Sequence, residues 1–204
     1  ASGYEYDDTA GVRTTADTTT QTAVIKPNAY PYNWVRTSQA ESLAEGFSGT
    51  GYNATLMFGL QWDLVLKYLS NKSVLTSSLT AYSDSWGNFQ GKSFSISNTS
   101  AKYSTDSGAS FIEITSSINH GTSSSVKWLL TTASNANFSK QNIYDLAGNV
   151  WERTLEHAVT VGSSPCATRG GVYNDTGSNY PVSSRYGNTT RKSGNENGFR
   201  VSLY

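Results

Sequence analysis

Beyond residue 168 glycine and asparagine recur so densely that only short strands joined by turns can form there, because both residues interrupt regular structure. Helices must lie earlier, and two stretches offer them. Thr37-Ser-Gln-Ala-Glu41 has an N-cap residue and an acid placed for a first turn. Ala40, Leu43, Ala44 and Phe47 keep helical spacing until Gly46, Ser48 and Gly49 end it. From Leu56 to Leu69, residues Leu60, Leu64, Val65, Tyr68 and Leu69 recur at three- and four-residue steps and make one apolar stripe, flanked by Trp62. Asp63 and Lys67, four apart, read as an exposed ion pair on that helix.

From about residue 74 to 125 the chain is rich in Ser and Thr, with short strands expected at Phe94-Ser-Ile96 and Phe111-Ile-Glu-Ile114. Residues 83 to 89 read as a turn-rich segment with an aromatic anchor, and residues 125 to 131 fit a helix turn or a strand equally well. Two helices followed by many short strands and long loops predict an α+β domain. Residues 1–29, polar and threonine-rich, read as an extended lead-in, and residues 30–204 as the domain itself. Loops of such length inside a compact domain are unusual unless they carry function.

Composition removes several classes of function. Fifteen basic and fifteen acidic residues cancel, so there is no electrostatic footprint for nucleic acid or an anionic membrane. No apolar run reaches the length of a membrane span, so insertion is not expected. Cys166, alone, cannot form an intramolecular disulfide; following Pro165, it reads as a loop residue or a small buried thiol. Thirteen tyrosines and five tryptophans can build a core and still leave amphipathic rings for a binding face.

Three C-terminal runs are more specific: Asp145-Leu-Ala-Gly-Asn-Val-Trp-Glu152, Arg169-Gly-Gly171 and Gly198-Phe-Arg200. In this order and spacing the chain resembles the formylglycine-generating-enzyme (sulfatase-modifying factor) branch of the C-type lectin fold. The resemblance is specific over roughly residues 140 to 204. It implies a C-type lectin-like α+β fold of two helices, short antiparallel strands and long loops. In the enzymes of that branch the Gly-Phe-Arg run leads into a catalytic cysteine; here Val201 follows it, and Cys166 lies more than thirty positions earlier. Soft thiolate ligands select Cu(I), and one cysteine does not supply such a site. Related sulfoxide synthases need three histidines at iron, whereas this chain has only His120 and His157. No catalytic residues and no redox cofactor are therefore expected, although a divergent enzyme of either type is the alternative reading. The resemblance also implies a possible structural calcium ion, with carboxylates from Asp145 and Glu152 and backbone carbonyls from Gly148 and Val150, hard oxygen donors that suit Ca²⁺.

Between Gly171 and Gly198 lie 26 residues, 172–197, of which 18 are Asn, Ser, Tyr, Gly or Thr. This mix is similar to an antibody paratope, where tyrosine gives contact area at low entropic cost and Ser, Gly and Asn give adaptable hydrogen bonds. Framed by Arg-Gly-Gly and Gly-Phe-Arg, the segment resembles the variable region of diversity-generating retroelement proteins. That resemblance implies a rigid scaffold displaying a variable ligand-binding surface. The candidate contacts are Val172, Tyr173, Asn174, Ser178, Asn179, Tyr180, Tyr186, Asn188, Thr189 and Thr190, with Lys192, Asn195 and Glu196; Pro181, Ser183 and Arg185 read as framework. The expected partner is a protein or glycan ligand, such as a cell-surface receptor, met from a virion or cell surface. A fixed-specificity glycan-binding module is a further alternative.

Overall fold

The computed structural model describes residues 3–4, 22–158 and 165–204. Most of the expected lead-in over residues 1–29 lies outside the described residues. Its described part pairs in a three-stranded ribbon, Gly3–Tyr4 between Ala23–Val24 and Tyr30–Pro31.

The domain is α+β, with three α-helices among the described residues where the sequence suggested two: α1 (Thr37–Glu45), α2 (Gly59–Asn71) and the short α3 (Thr76–Thr80). Helix α1 begins one residue earlier than its cap pattern implied, at Thr37 itself. Arg36 is the N-cap, and the Gln39 side-chain oxygen accepts from the Arg36 backbone N–H at 2.9 Å. Gln61 performs the same service for Phe58 at 2.8 Å, so each helix start is closed by the glutamine of its first turn.

The apolar stripe of α2 is a correction to the sequence reading. Leu60 and Leu64 are 71% and 59% exposed, and Tyr68 is exposed beside them. The buried face carries Trp62 and Leu69, with Val65 and Leu66 packed against the same core. Trp62 fixes that choice: its indole N–H donates to Val182 O at 3.0 Å, which satisfies the one polar atom of a large buried ring. The helix therefore turns Asp63 toward the sheet. Asp63 pairs with Arg169 and Arg185 there, and not with Lys67.

The central sheet has four strands in the order Arg185–Asn188, Cys166–Arg169, Trp151–His157, Asn197–Phe199. Each of the first three runs antiparallel to its neighbour, and the last runs parallel to Trp151–His157. Cys166 thus lies on a strand, half-buried opposite Asn188, and not in a loop. Val201–Leu203 continues from this sheet to pair with Ala54–Leu56, which brings the end of the described chain back to its first third. Around residues 95 to 130 short strands pair as the alternating patches suggested, Ser95–Ile96 with Ile118–Asn119 and Ile112–Glu113 with Lys102–Ser104. The ambiguous 125–131 stretch contains the strand Leu129–Leu130, and residues 83–89 contain a 3₁₀ turn that buries Trp86.

Candidate binding face

The backbone reverses sharply ahead of Trp151. Asp145, Gly148 and Asn149 all have positive φ, 50°, 72° and 65°. A Cβ at Gly148 would lie 2.2 Å from Asn88 O, so only glycine fits that close approach. The Asn149 side chain secures the turn, its oxygen accepting from Leu130 N–H and from Asn88 Nδ2, both at 3.0 Å, and its nitrogen donating to Leu130 O at 3.1 Å. Trp151 then enters the sheet opposite Asn197, and Glu152 sits between Gly198 and Arg169. The three sequence runs thereby meet on adjacent strands.

Two arginines lie fully buried under the segment 172–197 and hold it by its main chain. Arg153 donates to Val35 O at 2.8 Å, to Thr37 Oγ1 at 2.9 Å, to Thr189 O at 3.3 Å and to Lys192 O. Burial pulls its guanidinium down to about 10. Arg169 donates to Ser183 O at 2.7 Å and Ser184 O at 3.1 Å, and reaches Asp63 at 2.5 Å. Burial also lowers the Arg169 pKa, with Arg185 acting in the same direction and Glu156 and Asp63 opposing. Arg185 completes the cluster by pairing with Glu156 at 2.6 Å and with Asp63. Pro181 is buried, and Ser183 and Arg185 are tied into this frame.

Above the frame, Trp151, Tyr180 and Tyr186 form a corner of rings. Trp151 and Tyr186 are stacked at 5.3 Å, and Tyr180 stands edge-on to both at 5.1 and 5.6 Å. They wall a hollow of about 200 Å³ whose other sides come from Val172, Asn174, Asp175, Asn188, Lys192, Glu196 and Asn197. Asn174 Nδ2 donates to Glu196 Oε1 at 2.6 Å, and Asn188 Nδ2 to Asn197 Oδ1 at 2.9 Å. Burial raises the Tyr180 phenol, helped by Asp175 and Tyr186.

The expected contacts divide accordingly. Val172, Asn174, Tyr180, Tyr186, Asn188, Lys192 and Glu196 come together at the hollow. Ser178, Asn179 and Thr190 are exposed on the same segment but do not line it, and Thr189 and Asn195 are half-buried. Tyr173 is a correction: it is 1% exposed, packed with Leu129 and Val150, its hydroxyl accepting from Asn195 Nδ2 at 2.6 Å. Val172 and Asn188 are likewise buried as residues, although each presents an edge to the hollow. Trp151, Asp175 and Asn197 escaped the sequence reading. Trp151 was legible as part of a motif, but nothing in the sequence assigns it to this wall.

The two carboxylates expected at a calcium ion, Glu152 and Asp145, are both engaged within the protein. Both oxygens of Glu152 accept from Arg200, at 2.7 Å each, so a guanidinium already occupies the position of a cation. The Asp145 carboxylate turns instead to Ala133 N–H at 2.6 Å, and burial raises its pKa. Among the described residues no group of three or more His, Cys, Asp or Glu is placed to hold a metal. His157 stands opposite Cys166 across the sheet, while His120 stacks on Phe94 at 4.5 Å, far along the chain in another element. Val201, which follows Gly198-Phe-Arg200, pairs with Leu56.

Residues 1–203 match the sulfatase-modifying factor enzyme 1-like domain. No curated protein and no solved structure matches the chain.

Proposed function

Because the chain belongs to the sulfatase-modifying factor enzyme 1-like family, with a C-type lectin-like fold, we propose that it keeps the family frame and uses it to display a ligand-binding surface without covalent chemistry. The observation that carries this reading is how residues 172–197 are held. Arg153 and Arg169 bond the carbonyls of Thr189, Lys192, Ser183 and Ser184, groups that any residue at those positions would offer. Side chains such as Ser178, Asn179, Tyr186, Thr190 and Lys192 stay outward and exposed. A surface held by its backbone can change its side chains at little cost to folding, which is the requirement for retroelement-type diversification. Binding energy would come from the ring corner as anchor, with polar groups around it supplying fit.

The oxidase chemistry of the family calls for paired sulfur ligands, and Cys166 is the only cysteine. It sits two strands away from the Gly198-Phe-Arg200 run. The ligand is a protein or glycan met outside the cell, from a virion or cell surface. Sequencing of this gene in sibling isolates tests the reading. Substitutions should gather at the exposed positions of 172–197, with Arg153, Arg169, Gly170, Gly171 and Phe199 unchanged. Substitutions spread evenly over the domain would overturn it, as would copper- or iron-dependent oxidase turnover by the purified protein.

A further inference from the structure

The hollow beside Trp151 stops at Asn174, and on the other side of that residue a second hollow opens. It has a volume of about 380 Å³ and is lined by Thr105, Ser107, Ser125, Lys127, Trp128 and Tyr173. Asn174 lines both. Apart from Tyr173 and Asn174, the second hollow is built from loops far outside the segment 172–197, so its chemistry stays constant if that segment varies.

Those loops are well braced. The Ser104 hydroxyl accepts from Gly108 N–H at 2.7 Å and donates to Asp106 Oδ1 at 2.7 Å, and Asp106 also accepts from Ser110 N–H and Ser110 Oγ. These bonds, Ser110's foremost, hold the Asp106 carboxyl down to about 2. Oriented with its nitrogen inward, the Gln90 amide donates to Ser124 O at 3.1 Å and to Asn174 O at 3.0 Å, which ties the two sides of the groove together.

We infer that the two hollows form one groove that takes two consecutive rings of a neutral glycan, one on each side of Asn174. This rests on the proposed role of the C-terminal face as the ligand site. Each hollow pairs an aromatic wall with directional polar groups: Tyr180 and Tyr186, backed by the buried Trp151, in the first, and the half-buried Trp128 in the second. A sugar ring offers the matching surface, an apolar C–H face for an aromatic and hydroxyls that both donate and accept. The first hollow holds both kinds of partner. Asn197 is 2% exposed and bonds through its amide oxygen, leaving its Nδ2 as a donor, and Lys192 lines the same hollow. Asp175 and Glu196 supply carboxylate oxygens. Their two negative charges balance Lys192 and the buried Arg153 beneath, whose guanidinium bonds Lys192 O, so a neutral ligand meets no net field. Lys127, at the second hollow, is exposed and solvated. At about 200 Å³ the first hollow is smaller than the roughly 300–1,000 Å³ of drug-sized pockets, which suits one ring and not an extended peptide with its side chains.

The test follows amide chemical shifts of the full chain titrated with neutral di- to tetrasaccharides of glucose, galactose, mannose and N-acetylglucosamine, with EDTA present. One series should move the amides of Ser107 and Ser125 together with those of Gly187 and Asn197. Ser125→Trp, which fills the second hollow from an exposed position, should weaken the disaccharide about tenfold, leave the monosaccharide unchanged and keep the same Tm. Shifts confined to one side of Asn174, no shift with any sugar, or competition by peptides alone would overturn the inference. If sugars fail while sibling genes still vary at the exposed positions, the glycan assignment falls and the display reading stands. If the sugars bind along the groove and the siblings are invariant, the reverse holds.

Discussion

Arg200 grips Glu152 through two hydrogen bonds of 2.7 Å, Nε to Oε2 and Nη2 to Oε1, and the carboxylate is almost wholly buried. Nη2 also reaches the carbonyls of Tyr144 and Asp145, at 3.0 and 3.1 Å, so this one guanidinium joins the Asp145–Glu152 turn to the Gly198-Phe-Arg200 strand. Removing either partner leaves a buried charge without its counter-ion.

Glu152→Gln and Arg200→Met should each lower stability by about 3–5 kcal/mol, the usual cost of breaking a buried pair. The double variant should lose less than the sum of the two. Urea unfolding midpoints measure this, and added calcium or chelator should leave the wild-type midpoint where it is.

Tyr173 and Tyr186 should respond oppositely to truncation. Tyr173→Ala opens a cavity in the core and should cost about 3–5 kcal/mol, while Tyr173→Phe should cost about 1 kcal/mol through the bond from Asn195. Tyr186 is 41% exposed and stacks on Trp151 from outside. Tyr186→Ala should keep the fold and weaken ligand binding, by about tenfold or more for an anchor ring. Thermal melts read the first effect and binding titrations the second.

Much of this frame was legible because chemistry clusters where the chain folds back on itself. Glycines at positive φ, an asparagine able to satisfy a turn and an arginine beside a strand all left marks in the sequence, and the three C-terminal runs do meet on adjacent strands. The orientation of α2 was not legible. Leu60, Leu64 and Tyr68 keep the same helical period as Trp62, Val65, Leu66 and Leu69, and spacing alone cannot choose between two apolar faces. Only the bond from the Trp62 indole to Val182 O, 120 positions away, settles it. The second hollow left no signal either, since loops of Ser and Thr look alike whether or not they line a groove.

Acid should destabilise the domain through His120. Its ring is buried, stacks on Phe94 and has Nδ1 against the carbonyls of Lys92 and Gly121, while Nε2 has no partner among the described residues. Burial lowers its pKa below 6.5, so the unfolded chain takes up the proton first. The contribution is complete above about pH 6.5 and declines as pH falls toward the folded value. Asp145 acts in the opposite sense, because its raised carboxyl pKa makes the folded state hold a proton longer. An NMR titration should place the His120 midpoint below 6.5, with thermal midpoints falling over the same interval.

Gly148→Ala should be among the most damaging single changes. The new methyl group would meet Asn88 O at 2.2 Å on a backbone at φ 72°, so the turn must move and Asn149 must release Leu130. Strain of that type costs about 1–3 kcal/mol before any lost packing is counted. Circular dichroism melts of this variant against Gly51→Ala, where positive φ is present but no atom of the described residues lies within 4 Å of the added methyl, separate crowding from backbone preference.

The pairing of Val201–Leu203 with Ala54–Leu56, and of Asn197–Phe199 with Trp151–Arg153, sets an order of events during synthesis. A ribosome has already delivered every other ligand-facing residue when it makes Asn197 and the two strands that brace them. Folding must wait for those strands, and a nascent chain halted near residue 196 would carry the recognition surface up to Asn197 without the strands that close its frame.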